Sequence, residues 1–207
     1  MRLLPSGSAA LLVEVDGLDD VLALYAALSA DPPPGVVDIV PAARTVLLMT
    51  DPARTTVAAV AAAVRDSVPR PDRRGTGELL ELPVHYDGPD LADAAEILGL
   101  SPAELVRAHT GAEWTVAFCG FVPGFGYLTR DGEQWAVPRR STPRTRVPAG
   151  SVGLAAEFSG VYPRESPGGW QLIGRTDVAT FDLHREPAAL LRPGVRVRFV
   201  PVSGEVP

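Results

Sequence analysis

Tyr162-Pro163-Arg164-Glu165-Ser166-Pro167-Gly168-Gly169-Trp170-Gln171-Leu172-Ile173-Gly174-Arg175-Thr176 opens on prolines and glycines and closes on a short apolar run. Proline and glycine at that density leave no room for a long helix or a central strand in the first half. The run Trp170–Ile173 is long enough only for a strand. The same punctuation recurs around it. Trp114–Phe118, Val152–Ala156, Ala179–Phe181 and Val195–Pro201 are short apolar runs separated by Gly and Pro. From Trp114 onward no long amphipathic helix appears, and the spacing predicts a β-barrel or sandwich.

Upstream of that region the periodicity changes. Pro89–Leu98 and Pro102–His109 read as two short helices. The second is capped by Ser101, with Pro102 in its first turn and Glu104 three residues after the cap. Pro69–Gly77 is charged and rich in breakers, so it reads as a linker. Before it, Ala9–Val15 is a strand-like run and Leu18–Leu28 has apolar residues at helical spacing. Val36–Val40 and Thr45–Thr50 form two strands across a hairpin-length gap. Asp51-Pro52 starts a second helix over Ala53–Val68. The order β-α-β-β-α predicts a ferredoxin-like α+β unit whose last strand would be Leu79–Tyr86. The expected division is a small α+β domain over 1–75 and a mostly-β domain over 78–207.

Composition narrows the function classes. The chain has 207 residues, 46% hydrophobic and 21% charged, enough for a sizeable core. A formal net charge of −6 argues against a nucleic-acid partner. All 19 basic residues are Arg. A Schiff-base lysine, a P-loop lysine and a biotinylated lysine are therefore excluded. Any carboxylate or phosphate must be met by the planar arginine fork. One cysteine, Cys119, excludes an internal disulfide and fits a reducing cytoplasm. Flanked by Phe118 and Gly120, it reads as a buried, inert thiol. The three His are too widely spaced for a metal signature.

Three stretches concentrate aromatic, permissive and hydrogen-bonding residues: Gly120–Leu128, Pro138–Val152 and Tyr162–Thr176. Each is expected as an ordered loop that can face a ligand. Arg139, Arg144 and Arg175 are candidates to clamp a carboxylate or phosphate, while Arg140 and Arg146 read as surface residues. Gly168-Gly169 with Ser166 has the composition of an oxyanion or phosphate cradle. Among Phe121, Phe125, Tyr127 and Trp170, barrel core is the plain reading of Phe121 and Tyr127. Tyr127 and Trp170 carry a polar handle suited to a pocket. His109 is a candidate proton-transfer group. It equally suits a helix end stabilised by the dipole and a carbonyl.

These stretches resemble the family that includes KipI, the 5-oxoprolinase B subunit and allophanate hydrolase subunit 1. The family's motifs read approximately FxPGFxYL, PRxSTPRTxVPAGSV and GxYPxxSPGGWxxIGRT. Here they stand as FVPGFGYL, PRRSTPRTRVPAGSV and GVYPRESPGGWQLIGRT. The likeness extends to Leu82-Pro83-Val84, to His109 and to Arg192–Phe199, covering the chain from Leu79 onward and its first part more weakly. The resemblance implies an α+β N-terminal unit and a cyclophilin-like β-barrel. It implies pairing with a larger cyclophilin-like subunit of the C (KipA) type and with a LamB/YcsF-type subunit. That assembly would open 5-oxoproline to glutamate with ATP and Mg. Substrate contacts would come from Tyr127, Arg139, Arg144, Ser166, Gly168, Gly169 and Arg175, with His109 moving a proton. The same resemblance leaves two other roles open: a histidine-kinase inhibitor, and a subunit acting on allophanate or a urea-type amide. Two departures stand out. Ala156 and Phe158 replace a Gly and a Gln of the family's AGxQTGxYP. His85-Tyr86-Asp87-Gly88 replaces its CYGG and reads as a surface turn variation.

Overall fold

The computed structural model describes residues 1–67, 79–132 and 134–202. The chain divides into two compact units, Met1–Arg73 and Arg74–Pro207. The expected linker Pro69–Gly77 lies outside the described residues.

In the first unit, β1 (Arg2–Pro5), β2 (Ala10–Glu14), β3 (Val36–Pro41) and β4 (Thr45–Thr50) form one antiparallel sheet in the order β1-β2-β4-β3. The helices α1 (Leu18–Ala30) and α2 (Val57–Asp66) supply Val21, Leu24, Leu28, Val60, Ala61 and Val64 to a core with Leu11, Val13, Val46 and Leu48. Two expectations change here. The edge place beside β2 is taken by β1, not by Leu79–Tyr86, which belongs to the second unit. The second helix starts later than Ala53. Asp51 holds a turn by accepting from the Ala53 amide at 2.9 Å, and Thr56 then caps the helix by accepting from the Ala59 amide at 3.2 Å.

The second unit is a seven-stranded mixed sheet in the order β12-β9-β10-β7-β6-β13-β5. Its strands are β5 (Leu79–Val84), β6 (Trp114–Cys119), β7 (Gly126–Arg130), β9 (Ser151–Ala155), β10 (Phe158–Val161), β12 (Gln171–Arg175) and β13 (Arg196–Pro201). A separate ribbon pairs β8 (Arg144–Val147) with β11 (Ser166–Gly168). The two ends of the large sheet meet. His85 and Arg175 exchange both backbone hydrogen bonds at 2.8 Å, which nearly closes the sheet into a barrel. His85–Gly88 is thus a closure segment, not a surface turn. A Cβ on Gly88 would lie 2.3 Å from the Ile173 carbonyl carbon.

Period-two alternation places Leu82, Val84, Leu128, Val152, Leu154, Val161, Val197 and Phe199 inside the barrel. The short helices α3 (Leu91–Ile97) and α4 (Pro102–Gly111) add Leu91, Ala94, Ala95, Leu105 and Val106 to the same core. The expected capping box on α4 is present. Ser101 Oγ accepts from the Glu104 amide, and Glu104 Oε2 accepts from the Ser101 amide at 2.8 Å. Ala179–Phe181 is not a strand; Phe181 makes only an isolated bridge to Ala189.

Ala156 turns the chain between β9 and β10 at φ 51°. This left-handed backbone suits glycine, the family's usual residue at the position. We expect Ala156→Gly to raise stability by about 0.5–1 kcal/mol, read as a shift of the urea midpoint at constant slope.

Candidate functional site

Alternation along the strands also builds an outer face. On β10, Ser159 and Val161 point inward, so Phe158 and Gly160 point out; on β9, Gly153 points out between Val152 and Leu154. These glycines make a floor. A Cβ at Gly160 would sit 2.9 Å from Phe125 and 3.0 Å from Trp170, and one at Gly153 would sit 3.2 Å from Trp170. Trp170 lies over them and makes edge contacts with Phe125 and Tyr127 at ring separations of 5.2 and 5.6 Å. Tyr127 stacks on Phe118 at 4.5 Å and meets Phe158 edge-on at 5.5 Å. Tyr162 meets Phe125 at 5.3 Å and Phe121 at 6.2 Å. The result is a packed aromatic cluster outside the barrel core, built mainly by the first and third motifs. Phe158, the departure from the family pattern, forms part of it.

The cluster reaches the surface at Phe121 and Tyr127. Tyr127 is half-buried, and Phe121 is 55% exposed with φ at 66°. Phe121 is therefore not barrel core. A bulky residue held in the left-handed region is strained, a condition that clusters at ligand sites. Arg139 is exposed and makes no hydrogen bond or ion pair with the described residues. Its charge bears on both tyrosines. Burial raises the Tyr127 and Tyr162 hydroxyls above the usual range, and Arg139 pulls against that rise in each.

Arg144 is placed differently. It grips the carboxylate of Asp90 with two hydrogen bonds of 2.8 Å, and Arg140 adds a third at 2.7 Å. The Leu172 amide donates to the same carboxylate at 2.7 Å. Asp90 is only 2% exposed. Burial works against its charge. The hydrogen bonds from Arg144 and the Leu172 amide, with the charges of Arg144 and Arg140, outweigh that and hold its carboxyl below the ordinary range. Arg144 is thus occupied inside the protein, and Arg140 is a structural tie where a surface residue was expected. Sequence reasoning misses Asp90. The available signal is two arginines in one loop that need a buried acid, with nothing nearby in sequence to supply it. Arg146 pairs with Glu165 at the surface, as a rim residue would.

His109 is fully buried. Its Nδ1 lies 2.7 Å from the Tyr86 hydroxyl and its Nε2 lies 2.9 Å from Ser159 Oγ. Trp114 Nε1 donates to its carbonyl at 3.0 Å, and its ring lies 4.3 Å from that of Phe199. Both ring nitrogens are committed within the core, so this geometry carries a packing role and not proton transfer to a ligand on the outer face. Burial, aided by the charge of Arg130, pushes its pKa down to about 3. The folded protein therefore keeps His109 neutral, while the unfolded chain takes up a proton near pH ~6.5. The stabilisation is complete above that pH and declines as pH falls toward 3, by up to about 1.4 kcal/mol per pH unit. We expect the urea midpoint to fall between about pH 6.5 and 4.5 by more in the wild type than in His109→Phe.

The remaining candidates are tied to neighbours within the same unit. Ser166 is buried and its hydroxyl donates to the Arg164 carbonyl at 2.9 Å. Gly168 pairs with Arg144 in the ribbon, and a Cβ there would lie 2.3 Å from the Tyr162 hydroxyl. Gly169 offers its carbonyl to the Arg140 amide at 2.7 Å. Ser166, Gly168 and Gly169, expected as a cradle, thus pack against Tyr162 and the arginine loop. Arg175 sits at the barrel closure and pairs with Asp87 at 2.9 Å. Cys119 donates to the Leu191 carbonyl at 3.2 Å, and burial pushes its thiol up to about 11. A groove of about 290 Å³ runs between Ala149-Gly150, Tyr162-Pro163 and Thr176–Thr180. Among the described residues no three His, Cys, Asp or Glu side chains group as metal ligands would. No described helix is long and apolar enough to cross a membrane. Arg140, Arg144 and Arg175 are all paired to acids.

The sequence model of the family described as "Carboxyltransferase domain, subdomain C and D" matches residues 1–191. The 5-oxoprolinase B subunit of Escherichia coli O157:H7 is 52% identical over 125 residues, covering 59% of this chain and 57% of that protein. The 5-oxoprolinase B subunit of Bacillus subtilis (strain 168) is 48% identical over 128 residues, covering 60% and 53%. These matches span a little over half the length of the curated relatives. Among solved structures, TTHA0988 superposes with a TM-score of 0.76 at 37% identity, covering 97% of this chain and 41% of that one.

Proposed function

This chain belongs to the family of the carboxyltransferase domain, subdomains C and D, and on that premise we propose that it acts as the B-type subunit of an ATP-dependent 5-oxoprolinase. The observation that carries this reading is the shared identity of three curated relatives, each a 5-oxoprolinase B subunit, at 44–52% identity over about 60% of this chain. The site supports it. 5-Oxoproline is a small five-membered lactam with one carboxylate. An arginine without a partner among the described residues, set beside amphipathic rings, suits such a molecule: Arg139 meets the carboxylate and Tyr127 and Trp170 cover the ring.

In this reading the chain's own residues bind, orient and shield. Arg139 fixes the carboxylate. Tyr127 and Tyr162, both kept protonated, are hydrogen-bond donors for an amide oxygen that gains negative charge as the lactam opens. Phe125, Phe158 and Trp170 keep water from the buried side of the cluster, which strengthens those contacts. ATP supplies the free energy of ring opening at the level of the assembly, and no step through it is assigned to this chain. The subunit is inactive alone and works in the cytoplasm with a larger C-type subunit and a LamB/YcsF-type subunit.

The test is a substrate panel on the assembly co-expressed from one genome. We expect ADP release to depend on 5-oxoproline and not on urea or allophanate. ADP release driven by either of the latter, with none from 5-oxoproline, would replace the substrate assignment.

A further inference from the structure

We propose that Asp90 is the positioning residue for the substrate anion, because it fixes the loop on which Arg139 stands. The inference rests on the reading of Arg139 as the carboxylate-binding residue. Three ties hold the chain around Arg139. Gln171 Nε2 donates to the Pro138 carbonyl at 3.2 Å. The Arg140 amide donates to the Gly169 carbonyl at 2.7 Å. The Asp90 carboxylate holds the side chains of Arg140 and Arg144 together, three hydrogen bonds on one buried acid. The first two ties are single neutral contacts to backbone carbonyls; the third is charge-assisted and bidentate at Arg144, the strongest of the set.

The arrangement sorts the arginines by role. Arg140 and Arg144 give their hydrogen bonds to Asp90, while the charge of Arg139 reaches both Tyr127 and Tyr162 and that of Arg144 reaches Tyr162 alone. Asp90 also takes the Leu172 amide, one residue beyond Gln171 and two beyond Trp170. One carboxylate therefore registers the arginine loop against the strand that follows the cluster's floor-covering tryptophan. Without its negative charge, two half-buried guanidinium groups would stand side by side unopposed and repel. The loop would shift, and the point of attachment for the substrate carboxylate would shift with it. Asp90 itself touches no substrate.

A double-mutant cycle on the co-expressed assembly separates positioning from general support of the fold. The readout is kcat and KM for 5-oxoproline in wild type, Asp90→Asn, Arg139→Ala and the double variant, each checked by circular dichroism. We expect Asp90→Asn to raise KM about tenfold with kcat within about threefold. In the Arg139→Ala background the same change should add less than about twofold, since the residue it positions is gone. Arg144→Lys, which keeps a charge beside Asp90 but loses the two-point grip, should reproduce the KM effect if Asp90→Asn folds poorly. An unchanged KM in Asp90→Asn and Arg144→Lys, or a full tenfold addition in the double variant, overturns the Asp90 assignment while leaving Arg139 in place. No KM effect from Arg139→Ala removes the underlying reading, and Asp90 with it.

Discussion

Replacing Arg139 with alanine is expected to raise the KM of the assembled enzyme for 5-oxoproline about a hundredfold, with kcat altered less than about threefold. The size follows from what is lost. A charge-assisted hydrogen bond to a carboxylate, shielded by aromatic neighbours once substrate is seated, contributes about 2–3 kcal/mol. Each factor of ten in affinity corresponds to about 1.4 kcal/mol. The effect falls on KM because the carboxylate is remote from the amide that reacts, so it contributes equally to ground state and transition state. Arg139→Lys should recover about half of the loss on a logarithmic scale, since lysine keeps the charge but not the planar fork. Stability should not change. Arg139 is exposed and holds no partner among the described residues, so equal melting curves accompany the expected kinetics. A melting change as large as the kinetic one would assign Arg139 to the fold.

The second large effect is on stability. His109→Ala is expected to destabilise the second unit by about 3–5 kcal/mol, as truncation of a large buried side chain does. Two contributions add. The ring fills space beside Phe199, Trp114 and Trp135, and its loss leaves a cavity. The Tyr86 and Ser159 hydroxyls lose the imidazole that pairs them inside the core, and an unpaired buried hydroxyl costs about 1–3 kcal/mol. Urea unfolding at pH ~8, where the histidine is neutral in both states, measures this directly. Ser159→Ala, which removes one hydroxyl and no ring, should cost about 1 kcal/mol. A protein that loses turnover on His109→Ala at unchanged stability would restore His109 to a proton-transfer role.

Much of this architecture is legible in the chain because its signals are local. The capping box at Ser101 and Glu104 needs only a single helical turn, and the β3–β4 hairpin only a change of period. What escapes depends on distant partners. Leu79–Val84 reads as the close of the first unit, but it pairs in parallel with β13, far along the chain. β7 starts in, and β8 lies within, motifs whose glycine and proline content disguises them as loops. His109 falls on the same stripe of α4 as Leu105 and Val106, and that spacing already marks it as a core residue. Sequence alone does not separate Arg139, Arg144 and Arg175 as anion-binding candidates. The distinction lies in Asp90 and Asp87, which occupy Arg144 and Arg175, while Arg139 holds no partner among the described residues.

If this chain is a required, substrate-contacting part of a 5-oxoprolinase, omitting it must abolish turnover. The direct measurement is glutamate formed from 5-oxoproline and ATP by the full set of co-expressed subunits, by the set lacking this chain, and by this chain alone. Glutamate is expected only from the full set. Equal glutamate formation without this chain, or none from the full set, contradicts that role.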